Sequence, residues 1–256
     1  KQRRGIWADT AQSRSVVCGA GGSLRMPIAI LAGDVASSEG SDLLTLEDVR
    51  SLFRAMGRVL QEVLTVQDEG LVAGTKGMEL DGRGFPGRWM ELWVYDPEVL
   101  KQIGRHHMTG EPMPDGVKKA VVASETFSAG STLLEELERA HVDLAVHGCL
   151  ANKSYPGLLD VVNDISLNYT RAVQALPPSP PHWLCSLDSF GDAPAVGHYL
   201  DLWDRIMAAD AYHVIKQDIA RDTNSRNDAL LRVGLKFREE VFAPGGGRSP
   251  LESFQQ

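Results

Sequence analysis

The segment 45–63 constrains this chain more than any other. Thr45 with Asp48 three residues on makes a capping box, and Val49, Leu52, Phe53, Met56, Val59, Leu60 and Val63 then recur at helical spacing. The spacing predicts an amphipathic helix with one apolar face. Its polar side carries Arg50, Arg54 and Arg58 at i, i+4 and i+8. Three readings of that stripe stay open: a solvated charged face, an anchor for acidic groups of a partner protein, or a phosphate or RNA contact. Like charges at this spacing cost a helix only a few tenths of a kcal/mol, roughly, and Glu47, Asp48 and Glu62 can offset that.

Ahead of this helix, residues 1–40 read as strands and turns. Short β-type runs at 15–18 and 28–31 flank a glycine-rich turn at 19–22. The longest apolar stretch, 26–35, is broken by Gly33 and Asp34; it reads as a buried strand and is far too short to span a membrane. Residues 72–88 hold five glycines and a proline and read as a loop. From Trp89 onward the pattern is helical almost throughout, punctuated by Asp96-Pro97, by 109–114 and by the proline-rich connector 177–181. A last helix over about 228–242 stops at Ala243-Pro244-Gly245-Gly246-Gly247. The fold expected is mainly α with a small β element near the N-terminus.

With 256 residues, 43% of them hydrophobic, the chain is long enough for a substantial core. A net charge of −8 argues against a surface devoted to nucleic acid, so an RNA contact is not favoured. Cys18, Cys149 and Cys185 are far apart and fit free thiols in a reducing compartment. The beginning, KQRRGIWAD, has neither an initiator Met nor an apolar signal core, which leads us to expect a longer precursor.

Several stretches resemble the thimet oligopeptidase and mitochondrial intermediate peptidase family of zinc metallopeptidases. IGRHHMTGEPMP (103–114) is similar to that family's "ARHYxTGxPLP" helix and turn. SETFSAGSTLLEELERAHVDLAVHG (124–148) is similar to the long helix that follows it, and LRVGLKFREEVFAPGGGRSPLESF (231–254) to its terminal "YRxxxLAPGGSRDP" element. VAGT (72–75) and WMELWVYDPEVL (89–100) resemble the segment running from the metal helix to the next helix. The matches follow family order and cover nearly all of the chain. The resemblance implies one peptidase-like domain over 1–256, with 1–40 as its β region and 41–256 mostly helical: a remnant of a zincin-like catalytic domain. The family's upstream helical half, which walls its substrate channel, is expected to be absent or outside this chain.

The family's activity rests on H-E-x-x-H, whose histidines at i and i+4 chelate zinc while the glutamate acts as general base. By register with SLFRAMGRVLQ (51–61), those places hold Arg54, Ala55 and Arg58. A guanidinium stays protonated and has no lone pair for a metal. The third ligand falls on Gly84, or on Arg83 or Gly82 if the register slips, with Glu79 and Glu91 nearby; Glu91 fits better as the second carboxylate of the family's "ME". The family's tyrosine segment, whose hydroxyls stabilise a tetrahedral intermediate, matches SFGDAPAVGHYLDLWDR (189–205). There the Gly-Tyr pair becomes Ala193-Pro194, one tyrosine becomes His198, another becomes Asp201, and the upstream histidine falls on Ser189 or Phe190. Tyr199 remains, as an expected packing residue. His106-His107, adjacent, and His141 with His147, six apart, are poorly spaced for chelation, and His106 matches the family's packing histidine.

These substitutions lead to the expectation of a chain that is not an enzyme and carries no metal or other cofactor. Its expected role is that of a structural subunit with other protein subunits as partners, in a mitochondrial matrix assembly such as the ribosome or a respiratory-chain complex. Arg50, Arg54, Arg58 and Trp183 are the candidate partner contacts. The alternatives are a peptide- or presequence-binding protein that does not cut, and an active peptidase with a rebuilt metal site.

Overall fold

The computed structural model describes residues 5–17, 22–34, 43–152, 157–173, 196–221 and 225–255. The chain divides into two compact units, one of residues 1–122 with 203–256 and one of residues 123–202. The expectation of a mainly helical chain with a small β element holds.

In the first unit, β1 (Gly5–Gln12) pairs antiparallel with β4 (Ile28–Asp34), from Gly5 opposite Asp34 to Gln12 opposite Ile28, with a register shift between Thr10 and Gln12. Between them β2 (Ser15–Val17) and β3 (Ser23–Arg25) form a second antiparallel pair. β1 and β4 lie against α1 (Leu46–Val63). The strand expected to be buried at 26–35 is corrected. Met26, Ile28, Ile30 and Leu31 are exposed; Ile28 and Ile30 share one face of β4, and a two-stranded ladder resting on one helix leaves one of its faces uncovered.

α1 starts as the sequence predicts. The Thr45 hydroxyl accepts from Asp48 N–H, and Thr45 N–H donates to the Asp48 carboxylate at 2.9 Å. α2 (Phe85–Leu92) follows, earlier than the sequence reading allows, since Pro86 in its first turn is a helix starter rather than part of the loop. Asp96 caps α3 (Pro97–Ile103) by accepting from the N–H groups of Glu98 and Val99, and Arg226 donates to the same carboxylate at 2.8 Å.

α2 supplies Phe85 and Trp89 to the core and the 3-10 turn after it, Trp93–Tyr95, adds Trp93; Met207, Ala208, Phe237, Val241 and Phe242 complete it. Trp89 stacks on Phe237 with centroids 3.8 Å apart, and Trp93 meets Trp89 edge-on. Met207 and Ala208 come from α7 (Tyr199–Arg221), and Phe237 ends α8 (Arg226–Phe237). The predicted last helix therefore breaks at 237. A π turn, Arg238–Phe242, follows it, then a 3-10 turn over Gly245–Gly247 and the short α9 (Pro250–Phe254). This end is fastened to the region after α1: Val66 N–H donates to Ala243 C=O, Gly246 N–H to Val72 C=O, and the Gln61 amide to Phe242 C=O.

α4 (Asp115–Ser124) leads toward the second unit, whose core joins α5 (Ala129–Asn152) to α6 (Leu158–Val173) through Val142, Val162 and Ile165. Among the described residues no helix is long and apolar enough to cross a membrane. The connector 177–181 lies outside the described residues.

Candidate functional site

The site is the crossing of α1 and α2. Two glycines let the helices approach backbone to backbone. A Cβ on Gly57 would run into the Pro86 carbonyl, and one on Gly87 would press on the Arg54 carbonyl and on the side-chain stems of Arg54 and Arg58. Close approach brings the arginine stripe of α1 over the far end of α2, where Glu91 points back at it.

Glu91 is the hub. Arg54 donates Nε at 2.7 Å and Nη2 at 2.9 Å, Arg50 donates Nη2 at 2.6 Å, and Arg88, one turn back on α2, donates Nη1 at 2.9 Å. Arg50 also reaches Glu47 at 2.6 Å. The Glu91 side chain is 5% exposed, against 27% for Arg54 and 31% for Arg50. Burial alone pushes the Glu91 carboxyl up. The hydrogen bond and charge of Arg54, then the charges of Arg88 and Arg50, outweigh it and hold the carboxyl down to about 2. Burial likewise pulls the Arg50 guanidinium down, and Glu91, Tyr95 and Glu47 more than restore it, leaving it above its ordinary value.

Zinc, which the family resemblance implies, does not fit this donor set. Positions 54 and 58 present guanidinium groups and Ala55 presents a methyl group. Glu91 already accepts four N–H groups, the full capacity of a carboxylate. At Gly84 the space a side chain would need is filled by the Asp204 carboxylate, 5% exposed and contributed by α7. Of the alternatives, Arg83 donates to the Met78 carbonyl at 3.1 Å, and a Cβ on Gly82 would collide with Pro250. Among the described residues no group of three or more His, Cys, Asp and Glu side chains is placed to hold a metal ion.

The remaining sequence candidates lie elsewhere. His198 and Asp201 belong to the second unit, at the start of α7. There His198 N–H donates at 3.2 Å to Asp143, a buried carboxylate that His147 also meets at 2.9 Å. Tyr199, expected to pack, is 38% exposed. His106 is exposed too, and accepts from Thr109 N–H in a surface turn rather than packing in a core. Trp183, Ser189, Phe190, Ala193 and Pro194 lie outside the described residues.

Sequence reasoning missed the Glu91 cluster. It had set Glu91 aside as a secondary carboxylate and read the arginines as facing outward. The available signal was the stripe itself, since three arginines on one helix side invite a buried acid.

Comparison with known proteins bears on what such a site serves. The model of "Peptidase family M3" matches residues 2–256. A probable cytosolic oligopeptidase A of Arabidopsis thaliana is 34% identical over 99% of the chain and 36% of its own length. An organellar (chloroplastic/mitochondrial) oligopeptidase A of the same plant is 35% identical over 99% of the chain and 32% of its own length. A mitochondrial intermediate peptidase of Botryotinia fuckeliana is 28% identical over 88% of the chain and 28% of its own length. The chain thus spans about a third of the length of the curated relatives it matches. These findings overturn the expectation that the chain is not an enzyme: relatives aligned along its whole length are named oligopeptidases, in a family of peptidases.

Proposed function

Because this chain belongs to peptidase family M3 over nearly its whole length, we propose that it forms part of an oligopeptide-handling protein. The observation that carries this reading is alignment over 99% and 100% of the chain with proteins named oligopeptidase A. The chemistry of the α1–α2 crossing supports it. Guanidinium groups fixed on two packed helices recognise carboxylates, and every linear peptide ends in one. The test incubates the full-length protein with a library of short peptides, reading binding by fluorescence anisotropy and cleavage by mass spectrometry. Retention or cleavage of short peptides is the expected result; neither, at millimolar peptide, sinks the reading.

A second reading, in which the protein is also a subunit of a larger mitochondrial assembly, draws on the exposed apolar row Met26, Ile28, Ile30 and Leu31. Relatives named organellar and mitochondrial support the address. Gradient sedimentation of a mitochondrial lysate checks it. Migration with a large particle is expected, and recovery as a free chain in the cytosol would count against both assembly and address.

A further inference from the structure

A cavity of about 230 Å³ opens between α7, α8, the π turn and α9, all within the first unit. It is smaller than the roughly 300–1,000 Å³ that takes a drug-sized ligand. Its interior is apolar, lined by Phe85, Ile215, Phe237, Val241 and Phe254. Phe85 meets Phe254 edge-on at 5.9 Å and Phe237 at 5.6 Å, so these walls are held by their own packing. Four charged residues also line it: Asp210 and Asp218 on α7, Lys236 on α8 and Glu240 on the π turn. Two of them are answered, since Glu240 accepts from Arg248 at 2.8 Å and Asp218 lies 3.7 Å from Arg221. The Asp210 carboxylate and the Lys236 ammonium are exposed, and among the described residues neither meets a partner, the other included. Ser253, 8% exposed, completes the lining; its hydroxyl accepts from Arg248 Nε at 3.1 Å, which leaves its own hydrogen to give.

We propose that this cavity binds a small zwitterion with an apolar side chain, a free amino acid or a dipeptide. The side chain fills the aromatic and aliphatic interior, where removal from water drives binding. The ligand's ammonium pairs with Asp210 and its carboxylate with Lys236, while the Ser253 hydroxyl offers the polar end a further donor. The unanswered charges decide the class, because the rim holds one of each sign. A fatty acid would answer Lys236 and leave Asp210 beside its chain; an apolar amine would do the reverse. Only a ligand carrying both charges close together satisfies both. The site uses neither Arg50, Arg54 nor Glu91, so it stands independently of the oligopeptide reading.

The test titrates the full-length protein by calorimetry with leucine, the dipeptide Leu-Leu, N-acetyl-leucine and leucine amide. Leucine or Leu-Leu is expected to bind, and the tighter of the two identifies the ligand. Each cap should weaken leucine about tenfold or more, the scale of one charge-assisted hydrogen bond. The two ends are then assigned by variants at exposed positions, where folding is little disturbed and thermal melts confirm it. In Lys236→Gln the affinity for leucine should fall to that of the amide, and in Asp210→Asn to that of the acetylated form. Absence of binding by both leucine and Leu-Leu at millimolar concentration overturns the proposal. So does equal binding of capped and free leucine to the unaltered protein. Binding that both variants leave intact belongs to another part of the molecule and overturns it as well.

Discussion

Glu91 and Glu62 are 4% and 1% exposed, and both bear on α1, one against its first half and one within its last turn. Glu91 is met by three guanidinium groups. Glu62 is met by neutral donors: Thr75 N–H at 3.1 Å and the Thr75 hydroxyl at 3.2 Å, both on Oε2, while Oε1 has no donor among the described residues. The first arrangement answers the cost of burying an ion with opposite charge. It makes the helix crossing dependent on one residue, because removing that residue strands several cations in a half-dry place. The second keeps a polar group beside a glycine turn, where a Cβ on Gly74 would collide with the carboxylate. Its contribution is local.

The sharpest break of this contrast is Glu91→Ala, which leaves Arg50, Arg54 and Arg88 uncompensated. A loss of about 3–5 kcal/mol in urea unfolding is expected, and a loss under about 1 kcal/mol would mean the cluster is decorative. Acid titration follows closely. The Glu91 carboxyl sits at about 2 in the folded chain against an ordinary 4.5, so its stabilisation is complete above the ordinary value. It is lost as pH falls from there through about 2, and amounts to on the order of 3 kcal/mol. Denaturant melts at about pH 6 and about pH 3 should show that slope in the unaltered protein, and Glu91→Gln should flatten it. Next comes Gly57→Ala, where the added methyl meets the Pro86 carbonyl and forces α1 and α2 apart. About 2 kcal/mol should be lost in thermal unfolding, along with some of the Arg54–Glu91 contact. The smallest effect belongs to Glu62→Gln. The amide oxygen keeps both Thr75 donors, and a change of about 1 kcal/mol is expected in the same melts. A Glu62→Gln loss as large as that of Glu91→Ala would erase the distinction between the two sites.

Local chemistry was legible in the sequence wherever the signal lay within a few residues. The Thr45–Asp48 box, the apolar spacing of α1, Asp96-Pro97 at the head of α3 and the stop after residue 242 all belong to that class. β1 was not singled out, because half-buried Ile6 and Trp7 in GIWADTAQ acquire meaning only from pairing with β4. Phe85-Pro86 was absorbed into a loop by the glycines around it, although a proline in a helix's first turn is a start. At the site, the altered positions 54, 55, 58 and 84 could be read by likeness to the family. The Glu91 cluster could not, since its partners on α1 lie 37 and 41 residues away and only the helix crossing joins them.

The seam between residues 61–72 and 242–246 has a consequence for how the chain comes into being. During synthesis α1 leaves the ribosome well before the residues that close over its end, Phe242, Ala243 and Gly246, the first of which follows Gln61 by 181 residues. The segment 123–202 emerges between the two parts of the first unit and has its own apolar centre to condense around. The nascent protein must therefore hold an unfinished first unit, with Gln61 and the Val72 carbonyl unanswered, while the intervening unit is completed. Losing residues 242–246 would leave groups made long before them unanswered.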